Sequence, residues 1–551
     1  MEGKGRAVKP YRAIGLLLAA LTFGLTLNTD IDGPLDLYHE GERLAHYDAL
    51  KRGALPYRDF FVPHGLGEDV VKPYLACRLL GESVESVRRA GRNAYVYQGL
   101  LPALGAAGLI VAGATLFRAN WAIALVAGLT AVSLYEVSER PLFAYLGLAS
   151  LACHLHGRRR AWLVLAGALI GLAMLYSIET GIYAAAAALV WLALDPRTPR
   201  RRWYEIPSPA RTHVRFLLLG MGLVIAPALL ACLGAGVFRD VAENLRIQVL
   251  NRGEVWRSTY PVPKWAAEAS LLENLHFNGG LLMLFYAIPL LFAVGAVVSI
   301  RARSGSDPER RSALLLTSLF GSMFWSSVVS RADIWHLAYA SGPFFLFVGA
   351  WLTALTEMPR AKRLTFCAAG IAPLLACAAL IDFGEGGSVG RMLGRESRLL
   401  PSHLRKGDEP LIASSMPRVG RVRIPPRQEG ELRAIVDYIH AYSDPDDFLL
   451  DLSDQGLVYF LAERRCPSRF HFLSHCNTPE LRKKMIDEVR AQPRLPRLVI
   501  LPGGSELADD AVRRFVVERY EPAARIGGVE LWRPRDAAPG AAAVDFHPPP
   551  P

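Results

Sequence analysis

The sequence predicts a mainly α, polytopic membrane protein of about eleven transmembrane helices with a small soluble α/β domain at its C-terminal end. Three observations lead there. Of 551 residues, 52% are hydrophobic and mean hydropathy is +0.22, too apolar for an ordinary soluble chain, yet 21% are charged, too many for a chain wholly in lipid. Apolar runs of membrane-crossing length recur up to about residue 381. Beyond that point hydropathy falls and strand-like and helix-like stretches alternate.

The first apolar run, Ile14 to Leu27, has the basic flank of a signal peptide (Lys4, Arg6, Lys9, Arg12) but is followed by Asn28-Thr29-Asp30-Ile31-Asp32 instead of a small-residue cleavage site, so it is expected to stay as an anchor. Further runs lie near 93–117, 120–135, 141–156, 161–178, 181–194, 214–236, 279–300, 312–330, 336–355 and 364–381. At 1.5 Å rise per residue, about 20 apolar residues cross the bilayer core. Basic clusters at Arg158-Arg159-Arg160, Arg197 to Arg202, Arg301 to Arg311 and Arg360 to Arg363 fall on alternate connections, as short cytoplasmic loops require. A cytoplasmic start and an odd number of spans place the C-terminal segment outside an inner (plasma) membrane, together with the acidic loop after the first span. The net charge of +11 is then mainly a topology signal, and nucleic-acid binding is excluded.

Three outside segments follow. The first, 29–92, holds two stretches amphipathic by spacing, Gly41 to Lys51 and Val70 to Leu80, with Tyr38, Tyr57, Phe60, Phe61 and Tyr74 suited to a membrane interface. The second, 237–278, sets Arg239, Arg246, Arg252, Arg257 and Lys264 among Trp256, Tyr260 and Trp265; these cations either hold phosphate or acidic headgroups or form a solvated face. The third begins with a Gly/Arg-rich linker, 382–427, and continues as a domain over 428–536. There, helix-like 431–442, 455–463, 479–490 and 509–520 alternate with strand-like 448–452, 469–473 and 497–501 before a hairpin at 523–532, which predicts a largely parallel sheet. Pro502-Gly503-Gly504-Ser505 lacks dinucleotide spacing and reads as a plain turn. Cys466 and Cys476 form either a disulfide or two thiols, and the tail 537–551, ending in five prolines, is expected to be disordered.

Chemistry concentrates just after the first span, in Asp36, His39-Glu40-Gly41-Glu42, Pro56-Tyr57-Arg58-Asp59-Phe60-Phe61 and His64-Gly65-Leu66-Gly67-Glu68-Asp69. A carboxylate held at the mouth of a membrane helix can take a proton from an acceptor hydroxyl or amine while a lipid phosphate leaves. Glu40 is the first candidate for that base, with Asp36 and Glu42 behind it; the plainer reading is an acidic first turn of an interfacial helix. A second constellation, Arg331, Asp333 and His336, lies at an outside junction where guanidinium and imidazole could grip phosphate oxygens. Glu179, with Glu136, Glu139 and Arg140, marks apolar-helix ends where an ionisable group faces a cavity or snorkels. A divalent cation (Mg²⁺, Mn²⁺ or Zn²⁺) on His39, Glu40, Asp59, His64 and Asp69 is a candidate cofactor, although no closed zinc spacing is present.

The pattern of His39-Glu40-Gly41-Glu42 with Gly53-Ala54-Leu55-Pro56-Tyr57-Arg58-Asp59-Phe60 downstream, followed by many spans and an outside domain, resembles the polytopic GT-C glycosyltransferases of the protein O-mannosyltransferase-like and lipid A aminoarabinose transferase-like kind. Those enzymes commonly carry Asp-Glu where this chain has His39-Glu40. The Arg331 to Leu337 segment is similar to their Arg-x-Asp-x-x-His-Leu junction. The resemblance implies a membrane glycosyltransferase that moves a sugar, with inversion, from a polyprenyl-phosphate lipid to a glycan, lipid or protein acceptor. Catalysis would fall to Glu40, Asp36 or Glu42, with Tyr57, Arg58, Asp59, His64, Asp69, Glu179, Arg331, Asp333 and His336 binding substrate. A transporter or flippase, or a non-catalytic polysaccharide-assembly scaffold, is the alternative.

Overall fold

A computed structural model describes residues 10–27, 31–91, 100–132, 139–197, 208–250, 280–301, 307–330, 340–355, 410–503 and 511–536, with positions 260, 267–268, 332, 336, 372–373 and 375–376. In chain order the helices are α1 (Pro10–Thr26), α2 (His39–Lys51), α3 (Lys72–Leu80), α4 (Val84–Ala90), α5 (Leu100–Phe117), α6 (Asn120–Val132), α7 (Leu142–Gly157), α8 (Arg160–Tyr176), α9 (Ile178–Leu194), α10 (Ser208–Gly234), α11 (Phe238–Leu250), α12 (Gly280–Arg301), α13 (Pro308–Ser330) and α14 (Ser341–Leu355). There follow β1 (Ile412–Ala413), β2 (Arg423–Ile424), α15 (Pro426–Tyr442), β3 (Leu449–Asp451), α16 (Leu457–Ala462), α17 (Pro479–Arg490), β4 (Leu498–Pro502), α18 (Ala511–Arg519), β5 (Tyr520–Ile526) and β6 (Val529–Pro534).

The chain divides into two compact units. The first comprises Met1–Asn28, Tyr97–Leu229 and Ser258–Glu396. Its helices α5, α10, α12 and α13 contain stretches long and apolar enough to cross a membrane, and α1, α6, α7, α8, α9 and α14 are shorter but also apolar. Ten of the apolar runs are therefore helices of a membrane protein, and the run at 364–381 lies almost wholly outside the described residues. Small residues let these helices approach: a Cβ at Gly167 of α8 would collide with the Leu217 carbonyl of α10, and one at Gly220 of α10 with the Val164 carbonyl of α8. Outward-facing leucines such as Leu16, Leu17, Leu223 and Leu290 are more than half exposed, as lipid-facing positions are.

The second unit comprises Thr29–Val96, Leu230–Arg257 and Ser397–Pro551. Its four-stranded sheet has the order β3-β4-β6-β5. Only β3 and β4 run parallel (Leu449 opposite Leu498), while β6 is antiparallel to β4 and to β5. The sheet is mixed where the sequence suggested a largely parallel one, because the β5–β6 hairpin, turning at Gly527 with φ 55°, contributes half of it. The segment expected as a strand at 469–473 forms none: the Arg469 carbonyl accepts from the Phe61 amide (2.8 Å) and the Phe470 amide donates to Ser468 Oγ (3.1 Å). Part of the expected linker is core instead, since Met416, Val419, Val422 and Ile424 are buried around the β1–β2 ladder.

The segments that the sequence presented separately share hydrophobic cores within this unit. Leu44, Ala45 and Tyr47 of α2 pack with Leu432, Ile435 and Ile439 of α15, Leu457 and Phe460 of α16, and Leu449, Leu498 and Ile500 of the sheet. On another face, Phe61 and Ile247 of α11 pack with Phe470, Met485, Val499 and Phe515. Helix α2 meets α16 backbone to backbone at Gly41, where a Cβ would collide with the Leu457 nitrogen and lie 2.7 Å from the Gly456 carbonyl carbon. The Leu457 amide donates to the Leu37 carbonyl (3.0 Å), which fixes that crossing. Cys466 and Cys476 are separate thiols, and burial pushes Cys466 up to about 12. The tail 537–551 lies outside the described residues.

Candidate active site

Helix α2 begins where Asp36 closes its first turn. Asp36 Oδ1 accepts the amides of Tyr38 (3.2 Å) and His39 (2.9 Å), and Oδ2 sits 2.7 Å from His39 Nδ1. The imidazole is thereby oriented by a carboxylate, and its side chain is 37% exposed against 14% for Asp36. With Nδ1–H donating to Asp36, the lone pair is on Nε2.

One residue on, Glu40 turns inward. It is 1% exposed and its carboxylate meets the Arg88 guanidinium of α4 through Nε (2.5 Å) and Nη2 (3.1 Å). Arg88 also donates to the carbonyls of Ile31 (2.7 Å), Gly33 (3.1 Å) and Pro34 (2.7 Å), and Glu40 accepts the Asp36 amide (3.0 Å). Burial pushes the Glu40 carboxyl up against the pull of Arg88. This pair ties α2 and α4 to the chain entering the unit.

Glu42 is equally buried. Its Oε1 lies 3.1 Å from His475 Nε2, which is also 3.2 Å from the Tyr38 hydroxyl, while Oε2 has no hydrogen-bond partner among the described residues. Burial would raise this carboxyl, but the His475 hydrogen bond and the charges of His64, His475 and His39 hold it well below the usual carboxylate range. His46, one turn further along, stacks on Phe60 at 4.8 Å and meets His471 edge to face at 5.4 Å. Burial pulls His46 down to about 4, and burial with the neighbouring His46 pulls His471 to about 3, so both rings are neutral near pH 7.

Beside them, Arg43 Nη2 pairs with Glu68 Oε1 at 3.1 Å, both side chains 1% exposed. His64 Nδ1 lies 2.9 Å from Asp69 Oδ1, and Asp69 Oδ2 accepts the amides of His64 (2.6 Å) and Gly65 (3.1 Å). His64, Glu68 and Asp69 present donor atoms within 4.8 Å of one another. Of the residues expected around a cation, the structure brings His64 and Asp69 together and adds Glu68. Asp59 instead accepts the Leu55 amide (2.7 Å), while His39 and Glu40 take the partners above.

The Pro-Tyr-Arg-Asp turn is built into the fold. Tyr57 is buried with φ 70°, an uncommon conformation for a non-glycine residue, and its amide donates to the Phe60 carbonyl (2.9 Å). Arg58 reaches Asp240 Oδ2 (3.2 Å) and the Gly236 carbonyl, and Asn244 of α11 bonds both polar groups of the Val62 backbone. In the other unit, Glu179 sits half-buried in the first turn of α9 and His336 is half-buried; Arg331 and Asp333 lie outside the described residues.

Sequence reasoning missed His46, Glu68, His471 and His475. His46 follows His39 by seven residues, two helical turns, and so was findable on one helix face. Glu68 stood beside Asp69, but nothing in the local pattern of His471 and His475 linked them to residues more than 400 positions earlier.

No family model matches this sequence, and no curated protein matches it. Among solved structures the chain is similar to ArnT from Cupriavidus metallidurans bound to undecaprenyl phosphate, at 14% identity and TM-score 0.46 over 97% of this chain and 100% of that one. It is similar to the Archaeoglobus fulgidus oligosaccharyltransferase in complex with zinc and sulfate, at 13% identity and TM-score 0.40 over 89% of this chain and 68% of that one. It is also similar to the mycobacterial arabinofuranosyltransferase AftD, at 14% identity and TM-score 0.41, covering 97% of this chain and 42% of that one.

Proposed function

We propose that this membrane protein is a glycosyltransferase that moves a sugar from a polyprenyl-phosphate lipid to an acceptor outside the cytoplasm. The observation that carries the reading is the Asp36–His39 pair: a carboxylate fixes a partly exposed imidazole at the start of α2, two residues into the motif that the resemblance assigns to the base. Glu40 and Glu42 are sequestered by Arg88 and His475, which favours a supporting role for both over proton abstraction. A base needs access to the proton it takes, and among these groups His39 is the most exposed.

The chemistry balances without a further reactant. An acceptor oxygen attacks the anomeric carbon as the bond to the phosphate oxygen breaks, and polyprenyl phosphate leaves with that electron pair. The acceptor proton passes to His39 Nε2, and Asp36 stabilises the imidazolium. A single displacement inverts the anomeric centre. Arg331 and His336 are proposed as the phosphate grip, and Tyr57, Arg58, Asp59 and Glu179 as residues that shape or line substrate sites.

His64, Glu68 and Asp69 fit a divalent cation that keeps open positions, since they supply one imidazole and two carboxylates within 4.8 Å and match no closed four-ligand site. Bound there, a cation would neutralise phosphate charge. Arg43 at 3.1 Å from Glu68 already supplies part of that positive charge.

The test is turnover by the purified, lipid-reconstituted protein with a panel of polyprenyl-phosphate sugars and envelope glycolipid acceptors. Release of polyprenyl phosphate together with glycosylated acceptor is expected. Movement of the intact lipid-linked sugar across the vesicle without bond cleavage would replace the reading with a flippase.

A further inference from the structure

We infer that α3 lies flat in the bilayer interface, so that the second unit grips the lipid surface directly as well as through its covalent links to spanning helices. Val71, Leu75 and Leu79 recur every fourth residue and are 49%, 49% and 78% exposed, with Leu80 beside them at 55%. Three such residues form one stripe on a helix. The opposite face, with Pro73, Ala76 and Cys77, is buried and packs toward α4 and α2. Elsewhere in this unit's extramembrane surface, exposed large apolar side chains are scattered singly, at Ile412, Tyr442, Leu495 and Val517. A run of four on one short helix is a patch that water does not favour.

The occupant is indicated by what the helix adjoins. The unit includes the last turn of α10, a membrane-crossing helix, with Leu230 66% and Leu233 53% exposed, and the turn into α11 with Phe238 46% exposed. That corner is held by Arg58 on the Gly236 carbonyl and on Asp240. Val70, immediately before α3, packs in the same small cluster as Tyr57, Phe60 and Val62, against which Val241 of α11 also packs. The start of α3 is therefore joined through one apolar cluster to the point where α10 leaves the lipid. Arg78 of α3 lies over the Tyr74 ring at 5.5 Å and donates to its hydroxyl (3.3 Å), an aromatic and a cation arranged as at a headgroup boundary. A second copy of the chain has no comparable feature recommending it.

Full-length protein in phosphatidylcholine/phosphatidylglycerol nanodiscs carrying a photoactivatable acyl-chain lipid, mapped by peptide mass spectrometry, tests this. Adducts are expected on the peptides spanning 71–80 and 230–238 and not on those holding Tyr442, Leu495 or Val517. Leu75→Glu with Leu79→Glu should lower labelling of 71–80 at least fivefold while α12 peptides label as before. Labelling of α12 without labelling of 71–80 overturns the inference, and so does efficient disulfide cross-linking between copies of Leu79→Cys, which would assign the face to a second chain.

Discussion

Replacing Glu40 by Gln separates a structural brace from a catalytic base. The carboxylate is 1% exposed and takes two bonds from Arg88, at 2.5 and 3.1 Å, so the amide leaves a buried guanidinium without its counter-charge. Breaking a buried ion pair from one side costs about 3–5 kcal/mol. Arg88 keeps its three carbonyl acceptors, which puts Glu40→Gln at the low end, about 3 kcal/mol. For a domain of this size each kcal/mol lowers Tm by about 2–4 °C, so a fall of roughly 6–12 °C is expected. Glu40→Leu combined with Arg88→Leu removes both charges and should recover about half of the loss of Arg88→Leu alone. Thermal melting of the purified protein, read alongside limited trypsin digestion at residues 29–96, measures both. If Glu40→Gln melts like the parent and has lost sugar transfer, Glu40 acts in the chemistry and the brace is wrong.

Gly41→Ala puts a methyl group against the Leu457 backbone nitrogen, which cannot rotate away, and should destabilise the protein by about 2–4 kcal/mol in a denaturant titration. Stability should also fall with acid. His46 and His471, held near 4 and 3 when folded, refuse protons that the unfolded chain accepts below about 6.5, and Asp451, raised to about 6 by burial, opposes them as pH falls from about 6 to 4. Two histidines against one aspartate leave a net loss on the order of 3 kcal/mol between pH 7 and pH 4, checked by denaturation midpoints across that range and absent in a His46→Phe, His471→Phe protein. Chelation should lower transfer by tenfold or more if His64, Glu68 and Asp69 hold a cation, with Asp69→Asn losing metal by mass spectrometry; unchanged turnover in EDTA and no bound metal would remove that proposal.

The membrane helices were legible because a span needs little beyond its own sequence: a long apolar run satisfies its backbone internally and meets lipid on the outside. The second unit was far less so. Helix α2 carries Glu40, Glu42, Arg43, His46 and Asp48, and amphipathic spacing assigned such residues to water; all five are buried because Arg88, His475, Glu68 and Arg418 supply opposite charge or hydrogen bonds from distant segments. No local pattern announces a partner more than 350 residues away, as with Arg418 and Asp48. The same holds for 469–473, whose alternation looked strand-like while its backbone bonds went to Phe61 and Ser468. The site motif was found, but the division of labour within it was not: Asp36, His39, Glu40 and Glu42 differ in burial and partner, which spacing does not encode.

The base assignment is tested most directly by the initial rate of sugar transfer in His39→Ala and Asp36→Asn proteins whose melting curves match the parent. His39→Ala should lose at least a hundredfold in kcat and regain part of it with added imidazole, and Asp36→Asn should lose less, because it removes the orienting carboxylate and not the imidazole. Full activity in His39→Ala would contradict the account.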